Sequence, residues 1–327
     1  MTGLPSEDDL IASLFAPIAG PGGLGLRDDA ALLTPPAGRD LVVTKDALVA
    51  SVHFFPEDPP DLIARKALRV NLSDLAAKGA DPLGFLLAIA LPDGTPAEWL
   101  REFARGLGED AAYYGCQLLG GDTVRTPGPL MVSITALGSV PTGRMTQRTG
   151  ARPGDLIYVS GSIGDSAIGL AARLSPDWAQ SLSADDREFL ASRYLLPQPR
   201  TALACAVRDH ANGSMDVSDG LVGDLTKMLK VSGVGARVEL ANVPLSHAAR
   251  RSIALRSEIA DTVFTGGDDY EVLCTVPPES ALAFESAAAE SGVAVTRIGR
   301  VQDGSEAGFI GADGAQRRFT RGSFSHF

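Results

Sequence analysis

The sequence predicts an α/β (α+β) protein of two mixed domains, and three observations carry that prediction. Short apolar runs of strand length alternate with longer stretches of helical periodicity along the whole chain. A polar Gly/Pro turn meets a new strand at ARPGDLIYVSG, from Ala151, which places a boundary near residues 141–152 and domains over 1–140 and 151–327. The 327 residues suit two domains of ordinary size or one large one.

In the first domain, Ser6 and Asp9 resemble a capping box that opens a helix with Leu10, Ile11, Leu14, Phe15 and Ile18 on one face. Gly20 to Gly25 is a break. Strand-like runs follow at Ala30–Thr34, Leu41–Thr44 and Leu48–Phe54. From Asp61 to Lys78 the apolar spacing is helical, through Leu62, Ile63, Ala67, Leu68, Leu72 and Leu75. Gly84–Leu91 reads as a buried strand, and Pro96–Tyr114 as a helix with Trp99, Leu100, Phe103 and Leu107 inward. Gln117–Leu119 and Leu130–Val140 read as strands.

In the second domain, the strand after Ala151 meets a glycine turn at Gly161 and Gly164 that opens a helix through Leu174. Two helices flank the Pro197–Pro199 break. Ser214–Val217 is a short strand, and Ser218 is placed to cap a helix running through Leu229. Strand-like runs recur at Ala236–Leu240, Tyr270–Val276 and Val293–Ile298.

Composition narrows the function. The formal net charge of −11 argues against nucleic acid as a main partner, since phosphate backbones need a basic footprint. The three cysteines are odd in number and widely spaced, which suggests neither a disulfide framework nor a zinc site. The N-terminal stretch is acidic and lacks the basic region of a signal peptide, and no apolar run reaches the roughly 20 residues of a membrane span. A cytoplasmic enzyme is expected.

The chemistry lies in a series of aspartates placed beside glycines or at the ends of apolar runs: Asp28 and Asp29, Asp46, Asp74, Asp122, Asp216 and Asp219, and Asp268 and Asp269. Solvated acids normally sit in polar stretches. Carboxylates gathered by the fold would repel, by roughly 4 kcal/mol for a pair about 4 Å apart at an effective dielectric near 20. Mg²⁺ shared with phosphate oxygens relieves such repulsion. Mg²⁺-dependent phosphate chemistry is therefore the first expectation.

Each motif also has a bland alternative. In LLGGDTV, two glycines after a strand let backbone N–H groups approach an anion, with Asp122 on the accompanying metal; a tight turn is the alternative. Asn71, Asp74 and Lys78 share a helix face that could equally be a surface stripe. DVSDGL sets two acids around a strand-to-helix turn, and GGDDYE precedes a strand; each is also an ordinary turn. His53 lies in an apolar run that suits a hydrogen-bonded core histidine. Arg144 and Arg148 could clamp phosphate or be solvated. GSIGDS faintly resembles a phosphate-binding glycine turn but lacks the lysine of a P-loop. No serine-nucleophile elbow, zinc-protease helix motif or protein-kinase signature set occurs.

Taken in order, LRDDAAL, TKDALVASVHF, KALRVNLSDLAAKGADP, LLGGDT, TQRTGARPGD, SGSIGDSAIGL, DVSDGL and GGDDYEVL resemble the thiamine-monophosphate kinase family. That family shares a superfamily with aminoimidazole ribonucleotide synthetase and selenophosphate synthetase. The resemblance covers about Leu26 to the C-terminal SFSHF. It implies a synthetase-like fold in which N-terminal strands join across a homodimer and a C-terminal α/β domain completes the active-site cleft. It also implies transfer of the ATP γ-phosphoryl group to thiamine monophosphate, with several Mg²⁺ ions.

On this chain the implied metal ligands are Asp29, Thr44, Lys45 (by its main chain), Asp46, Asp74, Asp122, Asp216 and Asp219. ATP would meet Tyr113 or Tyr114, Gly121, Asp122, Arg148 and Ser218, with Asp122 and Arg148 the residues assigned to catalysis. Thiamine monophosphate would meet His53 and Asp268. Three positions depart from the family. Lys45 stands in a segment that is usually Ser-Thr-Asp, Asp268 where Glu is frequent, and the C-terminal aromatic is Phe319 or Phe324, with Phe324 carried as the site residue. A phosphate-monoester acceptor needs no general base, so direct in-line transfer is expected. A sister ATP-using synthetase is the rival enzyme, and a non-catalytic cation-binding protein the rival from another class.

Overall fold

The computed structural model describes residues 6–319 and 322–323, with the side chains of all but Glu7 and Pro176. The chain divides into two compact units, one of residues 1–75 and 80–143, the other of residues 76–79 and 144–327. Both mix helices with a sheet, so the α/β two-domain expectation holds.

The first unit is built on strands β1 (Arg39–Val49), β2 (Asp81–Pro92), β3 (Gln117–Thr126) and β4 (Met131–Pro141), ordered β1-β4-β2-β3. β4 is antiparallel to both neighbours, and β2 and β3 run parallel. Between β1 and β2 lies helix α1 (Pro60–Ala77), and between β2 and β3 helix α2 (Ala97–Tyr113), which supplies the long crossover that a parallel pair requires. α1 is buried around nearly all of its circumference from Lys66 onward, and its polar residues have partners there. Arg69 reaches Asp110 of α2 through two hydrogen bonds, joined by Arg65 Nε at 3.0 Å. Asp110 is 1% exposed, so these two guanidinium groups compensate its burial.

Alternation along the strands gives the first sheet two unlike faces. Val42, Leu48, Phe85, Ile89, Val132 and Ile134 are buried on one. The other presents Leu41, Val43, Leu86 and Val124 at 42%, 60%, 41% and 47% exposure.

The second unit carries a seven-stranded sheet formed by β5 (Leu156–Ser160), β6 (Gly213–Val217), β7 (Gly235–Glu239), β8 (Glu271–Val276), β9 (Val295–Gln302), β10 (Ala307–Ile310) and β11 (Gln316–Arg317). Their order is β11-β10-β7-β9-β5-β8-β6. The longer helices are α3 (Asp165–Leu174), α4 (Ala184–Leu195), α5 (Ala204–His210), α6 (Leu221–Ser232), α7 (His247–Leu255) and α8 (Ala281–Glu290). β5, β6 and β8 are buried at every residue, so both sheet faces are covered there. One cluster includes Ile157, Val159, Leu225 and Leu273, and the other Tyr158, Val272, Cys274 and Phe284.

Several local expectations are corrected. Residues 30–34 form no strand; Leu32 donates one backbone bond to Gly22 (2.8 Å) and is 67% exposed, with no ladder to hold an extended segment. The run Leu48–Phe54 divides into the end of β1 and a turn that returns Ser51 N–H to the Phe54 carbonyl at 2.8 Å. Gly120 and Gly121 lie inside β3, beside a register shift opposite Phe85 and Leu86. Ser218 is not a helix cap: α6 begins three residues beyond it, with Gly220 at the N-cap.

Candidate active site

In the first unit the open face of the sheet and residues 11–33 enclose a cleft of about 760 Å³. Its polar lining comprises Asp28, Asp29, Lys45, Asp122, Thr123, Ser133 and Thr135, against an apolar wall that includes Phe15, Leu26, Leu86 and Leu137. Three carboxylates thus share the space with one ammonium, a charge balance that favours a cation or a metal-bound anion. Gly121 also lines the cleft, and a side chain there would collide with β2, since its Cβ would stand 1.9 Å from the Leu87 carbonyl oxygen. The glycine therefore serves strand pairing as well as any approach to an anion.

Thr44, Asp46 and Asp74 belong to the opposite face of the same sheet. The Thr44 hydroxyl donates to the Asp74 carboxylate on α1. Fully buried Asn71, one helical turn earlier, accepts the Asp46 N–H at 3.2 Å and donates to the Ala67 carbonyl at 3.0 Å. Asn71 thereby ties α1 to the part of β1 that carries the acids. Lys45, between Thr44 and Asp46, points the other way and lines the cleft. The sheet therefore separates the candidate ligands of this unit into Thr44, Asp46 and Asp74 on the helix side, and Asp29, Lys45 and Asp122 on the cleft side.

His53 sits in the turn after β1. Its Nδ1 accepts the Val49 N–H at 3.0 Å, which leaves the ring proton on Nε2, and buried Lys66 donates to its carbonyl at 3.0 Å. Tyr113 is 79% exposed and meets Tyr114 edge-to-face at 4.8 Å. Tyr114 has the Arg69 guanidinium over its ring, and burial pushes its phenol up to about 12.

In the second unit two loops interlock. The Asp268 N–H donates to the Ser218 carbonyl and the Tyr270 N–H to the Val217 carbonyl, each at 2.8 Å. Asp216 is buried on β6, while Ser218 and Asp219 are half-buried. Lys227, two turns along α6, donates to both Asp219 and Asp224, the latter at 3.0 Å. Asp224 also accepts the Asp219 N–H at 2.8 Å and is fully buried. Burial raises its carboxyl, against the pull of Lys227. The sequence reading missed Lys227 and Asp224, although their i, i+3 spacing on a helix is a readable signal.

Arg148 is exposed on a turn whose backbone is fixed to its surroundings: Ser214 N–H donates to the Gln147 carbonyl (3.1 Å) and Ser232 Oγ to the Arg148 carbonyl (3.2 Å). Arg144 does not share this role, since its guanidinium pairs with Asp209 at 3.2 Å. Phe319 makes edge contacts with Phe264 and Phe309, whereas Phe324 lies outside the described residues.

Among the described residues no group of three or more His, Cys, Asp or Glu side chains lies close enough to hold a metal ion as the chain stands. The donors still suit Mg²⁺, being carboxylate and hydroxyl oxygens with no thiol or imidazole among the acid positions. The Asp219 carboxylate is paired with the Lys227 ammonium.

Comparison with known proteins places the chain in a family. Residues 27–140 match the AIR synthase related protein N-terminal domain family, and residues 152–311 the corresponding C-terminal domain family. The thiamine-monophosphate kinase of Caulobacter vibrioides is 47% identical over 92% of this chain and 85% of its own. The crystal structure of thiamine-monophosphate kinase from Stenotrophomonas maltophilia K279a superposes with a TM-score of 0.81 at 39% identity, over 89% of this chain and 91% of that one. AaThiL complexed with AMPPCP and TMP superposes with a TM-score of 0.79 at 28% identity, over 98% and 94% of the two chains. Both halves of the chain thus fall within the AIR synthase related family, and the chain belongs, within it, to the thiamine-monophosphate kinases.

Proposed function

We propose that the protein transfers the γ-phosphoryl group of ATP to thiamine monophosphate, giving thiamine diphosphate and ADP. The observation that carries this reading is its membership of a family in which a relative of the same fold is held with AMPPCP and TMP. The acceptor is a phosphate monoester with a second pKa near 6, mostly dianionic at neutral pH. It attacks without a general base, so the task of the protein is to align two anions for direct in-line displacement.

The chain divides this work by residue type. The Arg148 guanidinium, exposed on its fixed turn, suits phosphate oxygens, with Ser218 and the Gly121 backbone as further contacts and Tyr113 at the nucleotide. His53 Nε2–H suits a phosphate or pyrimidine acceptor on thiamine monophosphate, and the Asp268 carboxylate suits its cationic thiazolium. Oxygen donors of Asp29, Thr44, Asp46, Asp74, Asp122, Asp216 and Asp219, with the main chain at Lys45, would hold Mg²⁺. When bound, Mg²⁺ neutralises phosphate charge. Residues 1–140 would serve as the ATP- and metal-binding and dimerisation domain, and residues 151–327 would complete the site with Asp216, Ser218, Asp219 and Asp268.

Two further parts belong to the proposal. The exposed apolar face with Leu41, Val43, Leu86 and Val124 suits a homodimer, because a solvated sheet face that is apolar at four large residues needs covering. A cytoplasmic location suits an ATP-using enzyme whose three cysteines are free; no described helix is long and apolar enough to cross a membrane. The test is ³¹P NMR of protein, ATP, Mg²⁺ and thiamine monophosphate. A diphosphate ester with ADP is expected. ATP turnover without that ester would reject the reading in favour of a sister synthetase.

A further inference from the structure

We propose that Asp269 is a positioning residue for substrate binding: it pins the turn that carries Asp268 beneath the N-terminus of α3 and so fixes where the Asp268 carboxylate points. This rests on the reading of Asp268 as a thiamine-monophosphate contact.

The turn has an unusual backbone. Asp268 and Tyr270 both have left-handed conformations, with φ of +70° and +51°. Residues with a Cβ rarely adopt this region, and Tyr lacks the short polar side chain that lets Asp tolerate it. Such a conformation persists only where the surroundings over-determine it. Three restraints meet here. The Asp268 and Tyr270 N–H groups donate to the Ser218 and Val217 carbonyls. Gly267 packs so closely on the same loop that its Cβ would stand 2.2 Å from the Ser218 carbonyl oxygen.

The third restraint is Asp269 itself. The residue is 2% exposed and turns inward between its two left-handed neighbours. Its Oδ2 accepts the Gly164 N–H at 2.8 Å, and its Oδ1 faces the Ser166 N–H at 3.5 Å. Gly164 is the N-cap of α3 and has no side chain with which to cap it. Asp269 thus caps a helix from 105 residues away. The place that an anion would take in the GSIGDS turn is filled by a carboxylate of this chain, so that turn is structural. On the outward side, the Tyr270 hydroxyl donates to Asp268 Oδ1 at 3.3 Å and orients the carboxylate. Inward-facing Asp269 and outward-facing Asp268 are therefore two ends of one rigid piece.

The test is steady-state kinetics on Asp269→Ala, Asp269→Asn, Asp268→Ala and the Asp268→Ala/Asp269→Ala double variant. Asp269→Ala should raise KM for thiamine monophosphate about tenfold or more, the scale of one buried donor left unmet, with a smaller change in kcat and in KM for ATP. Asp269→Asn should recover most of the loss, because the amide oxygen can still accept the Gly164 N–H. In the Asp268→Ala background, Asp269→Ala should add less than about twofold, because its effect passes through Asp268. A merely structural role would multiply KM by the same factor in both backgrounds, and that result overturns the proposal. So does an unchanged KM in Asp269→Ala. If Asp268→Ala itself leaves KM unchanged while wild type forms product, the assignment of Asp268 fails, and the inference with it. Should Asp269→Ala not fold, Asp269→Ser in the same two backgrounds gives the same readout.

Discussion

Replacing Glu271 by Gln should destabilise the second unit by about 4 kcal/mol. Glu271 is fully buried at the start of β8. It accepts from Ser160 Oγ at 2.6 Å, Arg193 Nη2 at 2.8 Å and Arg200 Nε at 2.6 Å, with a further bond from Arg200 Nη2. The amide keeps the shape, loses the charge that balances two guanidinium groups, and turns one acceptor into a donor aimed at other donors. Breaking a buried ion pair from one side costs about 3–5 kcal/mol. For a domain of this size each kcal/mol lowers Tm by about 2–4 °C, so a fall of roughly 8–16 °C is expected. The assay is thermal unfolding followed by tryptophan fluorescence. The chain has two tryptophans, Trp99 in the first unit and Trp178 in the second. In a Trp99→Phe background the signal therefore reports the second unit alone. A fall smaller than about 3 °C would correspond to roughly 1 kcal/mol and would refute the view that Glu271 organises this unit.

Other outcomes follow from the same geometry. Asp122→Asn should lower turnover about 100-fold or more with Tm nearly unchanged, because the residue is exposed in the cleft; near-normal turnover rejects its assigned role. Val43→Glu combined with Leu86→Glu should give a folded monomer by light scattering, and persistence of a dimer would remove this face from the interface. Burial holds the Asp269 carboxyl well above the usual range. Its folded form therefore binds the proton more tightly than the unfolded chain. That contribution is fully present below about pH 4 and is lost as pH rises through the raised folded value. The stability of wild type relative to non-titrating Asp269→Asn should thus decline as pH rises from about 4 toward neutrality, as read by urea unfolding; a flat difference would contradict it. With AMPPCP present, excess Mg²⁺ should raise Tm above that in EDTA by linkage, and coincident curves would mean that no metal site assembles.

The long helices were legible because their apolar spacing is strong: Leu62 to Leu75 in α1 and Trp99 to Leu107 in α2 point to the observed Pro60–Ala77 and Ala97–Tyr113. α8 is alanine-rich with little amphipathic contrast and was missed, as were the short strands β10 and β11. The glycines of LLGGDTV suggested a turn, but the close approach of β2 keeps Gly121 inside a strand. The order of the acids along the chain was readable and carried the family resemblance. Their partners were not. Asp269 meets Gly164 across 105 residues, and no local pattern announces such a pairing. The opposed directions of Thr44 and Lys45, in contrast, follow from strand alternation alone once β1 is recognised.

That alternation has a consequence for how this chain can change. Thr44, Lys45 and Asp46 are consecutive in sequence, yet the thickness of the sheet lies between the middle residue and its two neighbours. Lys45 can therefore be exchanged without disturbing the pair around it, which makes it a position where relatives can differ at low cost. Length is constrained far more tightly than identity. Deleting Leu41 would turn Val42, Thr44, Asp46 and Leu48 outward and bring Val43, Lys45 and Ala47 against α1. In this strand the count of residues is itself inherited information, and odd-numbered insertions or deletions should be absent from functional descendants of the chain.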